Sequence, residues 1–490
     1  MPQALSASTS GTTQASPIIR RSFKQAIGNK DNGMASLEIV IMAAGKGTRM
    51  KSARPKVLHR LAGKSLLQHV LDAVAPLAAA KTLIVTGHEA AMVESDVAAP
   101  RLSFVRQSPQ LGTGHAVQQV VPQLGDDGTT LILNGDVPLI QTATATALAA
   151  ACGGQRLALL TIDLADPSGY GRIVRSNDGG HAIHAIVEHK DASAAQREIR
   201  EVYTGMLAAP TAWLKRAVMA LTNDNTQGEY YLTDIVAQAV ADGLAVVAAQ
   251  PASDTEVLGV NSPVQLAELE RRYQRTNATA LMDGSGVRLA DPARLDVRGS
   301  LVCGSDVEID VGCVFEGAVT LGDRVRIGPH CVIRNAQIDI GAVIQAFSHI
   351  DGARVGADAQ VGPFVRLRPG ADLGPEVHIG NFVEVKNSTL ARGAKANHLA
   401  YLGDATVGER VNFGAGSITA NYDGANKHRS VIGADVHVGS NCVLVAPITL
   451  GAGATIGGGS TLAKDAPAGQ LTVARAKQVS LPGWTRPKKG

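Results

Sequence analysis

A six-residue repeat of apolar side chains runs through the second half of this 490-residue chain. Three runs share the spacing, and in the first a second apolar series precedes each member by two residues. The runs are Ile309, Phe315, Leu321, Ile327 and Ile333; Val355, Val361, Leu367, Leu373, Ile379 and Val385; and Ile432, Val438, Leu444, Leu450, Ile456 and Leu462. An α-helix, at 3.6 residues per turn, cannot keep this period on one face. The repeat therefore predicts a hexapeptide parallel β-helix, a three-sided prism with about 18 residues per coil.

The composition agrees with such a prism. Aromatic residues make up 3% of the chain, and 53 residues are glycine. Conventional cores depend on large rings, whereas a narrow prism takes small aliphatic side chains and needs glycine at tight corners. A chain of this length exceeds one hydrophobic core, so we expect further domains.

Charge and cysteine content restrict the partners and the location. The chain has 46 basic and 43 acidic residues, which gives no electrostatic footprint for nucleic acid. The five cysteines form no C-x-x-C pair, and this predicts reduced thiols in the cytoplasm. The uncharged stretch 137–155 is too polar for a membrane span, so we expect no membrane insertion.

The first half has a different pattern. From Leu37 to about Asn261, short aliphatic runs alternate with amphipathic stretches, which predicts a Rossmann-like α/β domain. Ser262 and Pro263 are a candidate N-cap and first residue of a linking helix. The predicted parts are a disordered tail over 1–33 with Met34 as a candidate initiator, an α/β domain over 34–262, a linker helix over 263–284, a β-helix over 285–473 and a tail over 474–490.

A glycine-rich segment, M-A-A-G-K-G-T-R, follows the first predicted strand. Gly45 and Gly47 let backbone N–H groups approach phosphates, and we expect the segment to enter a helix whose N-terminus favours anions. Arg49 and Lys56 add positive charge. The segment is not a Walker A loop, because Gly-Lys-Ser/Thr is missing at the required place. Simple turn geometry remains the competing interpretation.

Two further segments favour nucleotide binding. Gln107 and L-G-T-G-H, from Leu111, form a second glycine loop that opens a predicted helix. Asn134-Gly135-Asp136 ends an aliphatic strand, and a carboxylate at a strand's carboxyl end suits Mg²⁺. As an isolated residue, Asp136 would also fit an ordinary turn.

Spacing within the prism indicates a second site. Arg368 and Lys386 are 18 residues apart, so they are expected one coil apart on one face, where they suit a phosphate monoester; two solvated surface cations are the alternative. Ser440 and Gly458 share this spacing. The hexad phase breaks twice, after Val385 and after Thr419, and we expect both segments to be loops expelled from the prism. The first would carry His398 and Tyr401, and the second Asn421 and Tyr422.

The motifs together resemble a known family. They are the M-A-A-G-K-G-T-R loop, R-P-K-V-L, Q-L-G-T-G-H-A, G-D-V-P-L, G-Y-G-R, V-E-H-K-D-A, G-E-Y-Y-L-T-D and G-V-N, followed by the hexad repeat. This set resembles the bacterial bifunctional N-acetylglucosamine-1-phosphate uridyltransferase and glucosamine-1-phosphate acetyltransferase over about residues 36–486. The resemblance implies an N-terminal Rossmann-like nucleotidyltransferase domain, a linking helix and a left-handed parallel β-helix.

The resemblance implies roles for named residues in uridylyl transfer from UTP to N-acetylglucosamine 1-phosphate. Residues implied to contact the substrates are Met42, Ala43, Gly45, Gln107, Gly112, Thr113, Asn134, Gly135, Gly171 and Glu188. Arg49 and Lys56 would neutralise phosphates as catalytic groups, and Asp136 and Asn261 would bind Mg²⁺. The family usually has Asn where this chain has Tyr203, so a tyrosine hydroxyl would take over that sugar contact.

For acetyl transfer from acetyl-CoA to glucosamine 1-phosphate, the resemblance implies that His398 is the general base. Residues implied to bind the sugar phosphate are Arg368, Lys386, Tyr401, Asn421 and Tyr422. Residues implied on the acetyl-CoA side are Asn412, Ala415, Ser440, Gly458 and Arg475. A homotrimer is also implied, because sites in such prisms form between subunits.

Three other functions fit the sequence less well. A hexapeptide zinc enzyme of the carbonic anhydrase class needs histidines five residues apart, and the prism has no such pair. A sugar-1-phosphate nucleotidyltransferase with one activity, whose β-helix regulates or assembles it, would leave His398 without a catalytic role. A scaffolding solenoid would leave the phosphate loops and Asp136 unexplained.

Overall fold

The computed structural model describes residues 36–97, 101–176 and 182–487. The predicted tail over 1–33 lies outside the described residues. The α-helices are α1 (Leu66–Val74), α2 (Ala90–Asp96), α3 (Thr113–Val120), α4 (Thr142–Cys152), α5 (Ala194–Arg197), α6 (Thr211–Met219), α7 (Ile235–Ala241) and α8 (Pro263–Ser285). Short 3₁₀ turns span Thr48–Met50, Lys56–Leu58, Ala75–Leu77, Val121–Gln123, Leu232–Asp234, Asp254–Val257 and Pro292–Arg294.

The N-terminal domain is built on a twisted sheet with helices on both faces. Its strands are β1 (Leu37–Met42), β2 (Arg60–Leu61), β3 (Lys64–Ser65), β4 (Lys81–Thr86), β5 (Leu102–Arg106), β6 (Thr129–Asn134), β7 (Leu157–Asp163), β8 (Gly171–Arg175), β9 (Ile183–Val187), β10 (Glu201–Pro210) and β11 (Val246–Ala249). The main order is β11-β7-β10-β6-β1-β4-β5, and β2 and β3 form a separate hairpin. The side chains of β1, β4 and β6 are buried between the helices, as the aliphatic runs predict.

The sheet is not wholly parallel. β10 runs antiparallel to both β6 and β7, and β8 and β9 form an antiparallel pair at its side. A parallel neighbour needs a crossover, usually a helix, whereas β8, β9 and β10 follow one another with short connections. Strands β1 and β6 remain parallel neighbours, and the order reverses between them. Such a switch point forms a crevice at the carboxyl ends of the strands, where ligands bind in doubly wound sheets.

Helix α8 joins the two domains. The Ser262 hydroxyl accepts a hydrogen bond from the Gln265 N–H, and Pro263 is the first helical residue, as the sequence predicts. Gly286 ends the helix in the left-handed conformation. Gln274 lies on the buried side of the helix. Its side-chain amide donates to the Val297 carbonyl oxygen of the prism and accepts the Val297 N–H. Among the described residues, no helix is long and apolar enough to cross a membrane.

The C-terminal domain is the predicted prism, and we name its sides faces A, B and C. Face A has the strands Arg288–Leu289, Glu308–Ile309, Arg326–Ile327, Val343–Ile344, Gln360–Val361, His378–Asn381, Lys395–His398, Asn412–Phe413, His437–Val438, Thr455–Ile456 and Leu471–Thr472. Face B has His349–Asp351, Arg366–Leu367, Glu384–Lys386, Tyr401–Gly403, Ile418–Ala420, Val443–Val445 and Thr461–Leu462; face C has Arg354–Val355, Asp372–Leu373, Thr389–Leu390, Ala405–Val407, Ser430–Ile432 and Ile448–Leu450. In the first coils, Leu295–Cys303, Cys313–Leu321 and Val332–Ile338 continue from face B into face C.

The hexad side chains form the core of this prism. Every member of the three apolar runs is buried, and all neighbouring strands in the prism are parallel. The five cysteines are free, and Cys442 faces inward and is fully buried. The fold class predicted from the sequence, an α/β domain followed by a parallel β-helix, is therefore confirmed.

One of the two predicted loops is absent. Coils through the first phase break hold 17 residues, because Val385 pairs with Leu402 and Leu390 pairs with Val407. The prediction that His398 and Tyr401 lie in an expelled loop is therefore wrong, since His398 ends a face A strand beside Asn381 and Tyr401 begins a face B strand. The second break is a genuine insertion. One coil there takes 25 residues, and the extra chain leaves the prism at the corner between faces B and C.

Two candidate active sites

A cleft of about 340 Å³ opens at the switch point between β1 and β6. Its lining residues are Met42, Ala43, Ala44, Gly45, Lys56, Val57, Gln107, Gln110, Gly112, Thr113, Ala116, Asn134, Asp136 and Glu229. Most residues that the resemblance assigned to the uridine nucleotide therefore lie around one cavity. Gly135 is packed behind this cleft, and its N–H donates to the carbonyl oxygen of Met42.

The loop after β1 differs from the prediction. It enters a single 3₁₀ turn, Thr48–Met50, and not a helix, so this loop contributes no helix dipole to the cleft. Gly47 has φ 60°, and a Cβ there would lie 2.6 Å from the Cβ of Lys56. Glycine is therefore needed for Lys56 to reach the cleft. Arg49 is exposed on the turn and is not among the lining residues.

The second glycine loop opens α3, as predicted. Gly112 is its N-cap with φ 108°, and a Cβ there would lie 2.6 Å from the carbonyl oxygen of Tyr230. The buried Gln107 amide donates to the Gly112 carbonyl oxygen at 2.9 Å and holds the loop in place. The Thr113 hydroxyl accepts the Leu232 N–H at 3.0 Å. The start of α3 thus faces the cleft, where its N–H groups and dipole favour an anion.

A cation already lies between the two predicted metal ligands. The Lys56 ammonium is 2.5 Å from a carboxylate oxygen of Asp136 and 2.9 Å from the amide oxygen of Asn261. Asp136 and Asn261 therefore direct hard oxygen donors at one point, and such donors fit Mg²⁺, which takes one or two carboxylates and completes its shell with water and phosphate. In the described ranges, no group of three or more His, Cys, Asp or Glu side chains could hold a metal. Any Mg²⁺ here would share its shell with substrate.

The residues predicted to meet the sugar come together beside this cleft. Gly171 pairs with Tyr203 across β8 and β10, and Glu188 follows β9. Burial raises the pKa of Glu188, whose carboxylate accepts the Thr233 hydroxyl at 3.1 Å. Tyr203 is 7% exposed, and its hydroxyl has no hydrogen-bond partner among the described residues. Burial, with a smaller effect of the Glu188 charge, raises the pKa of this phenol.

In the prism, one corner between faces A and B forms a column of site residues. The members are Asn381, His398, Ala415, Ser440, Gly458 and Arg475, each from a successive coil. The Nδ1 atom of His398 is 3.0 Å from the Asn381 amide oxygen. Arg475 donates to the Gly458 carbonyl oxygen at 2.6 Å, and the N–H of the residue after Gly458 donates to Ser440 at 2.8 Å. The predicted neighbourhood of Ser440 and Gly458 is confirmed.

Cations gather at the opposite edge of face B. Arg368 and Lys386 lie one coil apart, as their spacing predicts. Arg368 donates to Glu384 at 2.9 Å, and Lys386 is 3.8 Å from Asp404. The ammonium of Lys427 lies against Lys386 and, together with burial, lowers the pKa of Lys386. Crowded like charges of this kind are stabilised when an anion binds between them.

The two corners are separate in one chain. No hydrogen bond or ion pair among the described residues joins His398 to Arg368 or Lys386. Face B connects the corners, and Tyr401 lies along it with its hydroxyl over Gly403. Asn421 donates to Asp404 at the cationic corner, and Tyr422 is 62% exposed beside it. Asn412 lies on face A, where it contacts His437 at 3.3 Å.

Sequence reasoning missed several residues, among them Asn381, which contacts His398. Gln110 and Glu229 line the nucleotide cleft, and both stand in motifs already singled out, Q-L-G-T-G-H-A and G-E-Y-Y-L-T-D. Lys427 joins the cationic corner through the 25-residue coil. Its nearness to Asn421 and Tyr422 in the inserted segment was the available signal.

Comparisons with known proteins agree with the fold of both the α/β domain and the prism. The model of the MobA-like NTP transferase domain matches residues 39–202, and the model of the bacterial transferase hexapeptide (six repeats) matches 301–335 and 429–464. The chain is 75% identical to the bifunctional protein GlmU of Methylibium petroleiphilum over 92% of this chain and 99% of that protein. It is 67% identical to the bifunctional protein GlmU of Polaromonas naphthalenivorans, over 92% and 98% of the two chains.

The chain belongs to the bifunctional GlmU family. A third relative, the bifunctional protein GlmU of Albidiferax ferrireducens, is 65% identical and is covered over its full length. The family resemblance drawn from the motifs is thereby confirmed for both domains of this GlmU-family chain. The roles of the individual residues stay predictions.

Proposed function

We propose that this GlmU-family chain makes UDP-N-acetylglucosamine by two successive transfers. The prism acetylates glucosamine 1-phosphate from acetyl-CoA, and the α/β domain then transfers UMP from UTP to N-acetylglucosamine 1-phosphate and releases pyrophosphate. The observation that carries this assignment is the 75% identity to a bifunctional relative across 92% of the chain. The alternative of one nucleotidyltransferase activity with a regulatory prism is not favoured.

For uridylyl transfer, the cleft positions reactants that already carry charge. Gln107, Gly112 and Thr113 hold the nucleotide at the start of α3, and Gly171 with Glu188 holds the sugar. The sugar phosphate is itself an anionic nucleophile, so no strong general base is required, and positioning with charge neutralisation supplies the catalysis. Lys56 is the cation nearest to the reacting phosphates. Arg49, which is exposed, would have to approach when UTP binds.

Asp136 and Asn261 would hold Mg²⁺, as the convergence of their oxygens on the Lys56 ammonium supports. When bound, the ion would neutralise phosphate oxygens and orient them. Lys56 must then leave the two oxygens, and the phosphate oxygens of the substrate are the available acceptors for its ammonium. One side chain would thus pair with protein carboxylate in the free enzyme and with substrate phosphate in the complex.

For acetyl transfer, His398 would be the general base. The Asn381 amide oxygen faces Nδ1, so the ring donates there and keeps Nε2 as a proton acceptor. The amine nitrogen of glucosamine 1-phosphate attacks the thioester carbon while Nε2 takes its proton. The C–S bond then breaks, and the proton passes to the leaving CoA thiolate. Cys442 is buried inside the prism and takes no part.

The sugar phosphate would be bound along face B, and acetyl-CoA at the corner between faces A and B. Arg368, Lys386 and Lys427 would hold the phosphate at one edge, and the amine would reach His398 at the other. The residues proposed for acetyl-CoA are Asn412, Ala415, Ser440, Gly458 and Arg475, and those proposed for the sugar are Tyr401, Asn421 and Tyr422. The column shared by His398, Ala415, Ser440 and Gly458 supports delivery of the thioester to the imidazole.

A cytoplasmic homotrimer is part of the proposal. Phe347, Phe364 and Phe382 stack as a ladder at the corner that leads to Leu399, with ring centroids 5.1 Å and 5.5 Å apart. Their exposed fractions are 50%, 47% and 56%. A contiguous exposed apolar stripe of this kind commonly marks an interface, which supports assembly with further copies along this edge.

One assay tests the two activities separately. The full-length protein is supplied with glucosamine 1-phosphate, acetyl-CoA, UTP and Mg²⁺, and thiol and pyrophosphate release are followed in parallel. Both products are expected, with pyrophosphate depending on prior thiol release unless N-acetylglucosamine 1-phosphate is added. Pyrophosphate release from added N-acetylglucosamine 1-phosphate without any thiol release would support the alternative with one activity.

A further inference from the structure

The 25-residue coil carries a short hairpin, Asn421–His428, which we name the corner hairpin. Tyr422 and Lys427 face each other across it in an antiparallel bridge. The Asn421 amide donates to Asp404 at its base. The hairpin thereby brings the Lys427 ammonium against Lys386, where two like charges repel each other. Something must hold Lys427 there when no anion is bound.

Two side chains, Asp423 before Lys427 and His428 after it, hold the corner hairpin together. We name this contact the clasp. The Nε2 atom of His428 lies 2.7 Å from a carboxylate oxygen of Asp423. The other oxygen of Asp423 accepts the N–H groups of Asn426 and Ala425 at 2.7 and 2.8 Å. The Asn426 N–H and the His428 ring hold the pKa of Asp423 well below its usual range. The His428 N–H donates to the Asn421 carbonyl oxygen at 2.8 Å.

His428 therefore ties the turn of the hairpin to its base through one side chain. The ring is 33% exposed and its partner 45%, so the contact is reachable by water and moderate in strength. Without it, the segment around Lys427 would keep its backbone bridge but lose the side-chain link across the turn. The Lys427 ammonium would then be free to move away from Lys386 into water, because that movement lowers the repulsion.

We propose that His428 is a positioning residue for acetyl transfer, which fixes the corner hairpin so that Lys427 stays beside Lys386 to receive the phosphate of the sugar substrate. The inference rests on the proposed function of this corner as a phosphate site. His428 touches neither the reacting amine nor the thioester. Its effect should thus fall on the binding of the sugar phosphate and not on the chemical step.

The test compares His428→Ala with His428→Gln in the full-length protein, with glucosamine 1-phosphate as the varied substrate. For His428→Ala we expect the KM for glucosamine 1-phosphate to rise about fivefold, the equivalent of one ordinary net hydrogen bond. The kcat of acetyl transfer and the KM for acetyl-CoA should stay within about twofold of the wild type. The Gln amide nitrogen reaches Asp423 as Nε2 does, so His428→Gln should restore the KM.

Two controls come from the chain itself. His349→Ala removes an exposed histidine from a distant coil and should leave every constant unchanged. Pyrophosphate release from added N-acetylglucosamine 1-phosphate should also be unchanged in all variants, which reports that the N-terminal domain is folded. If His428→Ala lowers the yield of folded protein, Asp423→Ser keeps a side-chain oxygen for the turn but lacks the oxygen that reaches the ring, so it breaks the same clasp and should raise the same KM.

The inference is overturned if His428→Ala leaves the KM for glucosamine 1-phosphate unchanged, or if His428→Gln is as impaired as His428→Ala. A fall in kcat without a change in KM would also overturn it. Failure of the proposed phosphate site gives a different result, because Lys427→Ala and Lys386→Ala would then leave the same KM unaltered.

Discussion

Tyr203→Phe is expected to make the free enzyme more stable and the sugar bind less tightly. The Tyr203 hydroxyl is buried and has no partner among the described residues, so it loses its hydrogen bonds to water without replacement. A buried hydroxyl without a partner costs about 1–3 kcal/mol. Removing it while keeping the ring should return much of that free energy. In a domain of this size, each 1 kcal/mol corresponds to about 2–4 °C in the midpoint of unfolding.

The opposite effect is expected on substrate binding, because the proposed sugar contact supplies the missing partner. A net hydrogen bond of about 0.5–1.5 kcal/mol corresponds to a rise of roughly two- to twelvefold in the KM for N-acetylglucosamine 1-phosphate. The KM for UTP should not change, since Tyr203 is not among the residues that line the nucleotide cleft. Acetyl transfer in the other domain should also be unaffected.

Calorimetry and pyrophosphate release measure the two effects. UTP with Mg²⁺ shifts the transition of the domain that binds it, which identifies the relevant midpoint. Tyr231→Phe is the matched control, because the Tyr231 hydroxyl does accept a hydrogen bond, from Gln227 at 2.7 Å. That variant should lose stability. A lower midpoint of unfolding for Tyr203→Phe would refute the claim that the Tyr203 hydroxyl has no partner. An unchanged KM for N-acetylglucosamine 1-phosphate would refute the proposed contact between this hydroxyl and the sugar.

Three further predictions concern the other site residues. Lys56→Met should bind Mg²⁺ about tenfold more tightly in calorimetric titration without UTP, because the oxygens of Asp136 and Asn261 lose a competing cation; equal or weaker binding would contradict this. With N-acetylglucosamine 1-phosphate added as the substrate for pyrophosphate release, His398→Ala should abolish thiol release and spare pyrophosphate release, and Asp136→Ala should do the reverse. Loss of both products from either variant would then contradict separate sites. Hydrogen bonds from two asparagine amides and the Lys386 charge outweigh burial and lower the pKa of Asp404. The ionised Asp404 carboxylate should therefore stabilise the prism above about pH 4, and this stabilisation should disappear as the pH falls through the lowered pKa. The unfolding midpoint of the prism, identified as the transition that acetyl-CoA shifts, should fall over the same pH range. In Asp404→Asn this dependence of the midpoint on pH should be weaker.

The hexad period predicted the prism, and one misreading of it shows what periodicity cannot resolve. Between Val385 and Val407 the sequence runs 22 residues, which we interpreted as a coil with four extra residues. The buried side chains that occupy the hexad positions in between are Leu390, Ala396 and Leu402, so the steps are 5, 6, 6 and 5. Four hexads that each of two corners shortens by one residue, and three hexads with four residues inserted, both give this spacing of 22 residues. Only the backbone distinguishes them, because a corner can shorten without moving its inward side chain.

Features that depend on distant parts of the chain were not predictable. Lys56 and Asn261 are 205 residues apart and share a hydrogen bond, although their separate motifs gave no sign of contact. The expected helix after β1 failed for a related reason. Gly47 packs directly on Lys56, and this contact turns the loop back toward the cleft after three residues. Local glycine content predicts a flexible turn but not the partner that decides its direction.

The two sites also differ in how the backbone makes room for a substrate. In the α/β domain, the reversal of strand order opens a crevice between β1 and β6, whose own pairing is regular. A prism of parallel coils has no such crevice, since each coil repeats the outline of the last. The described part of this prism departs from its repeat most at the corner hairpin, where one coil takes 25 residues against 18 in the next. The cations gather at that corner because an insertion there can bend Lys427 back over Lys386, which no regular coil could do.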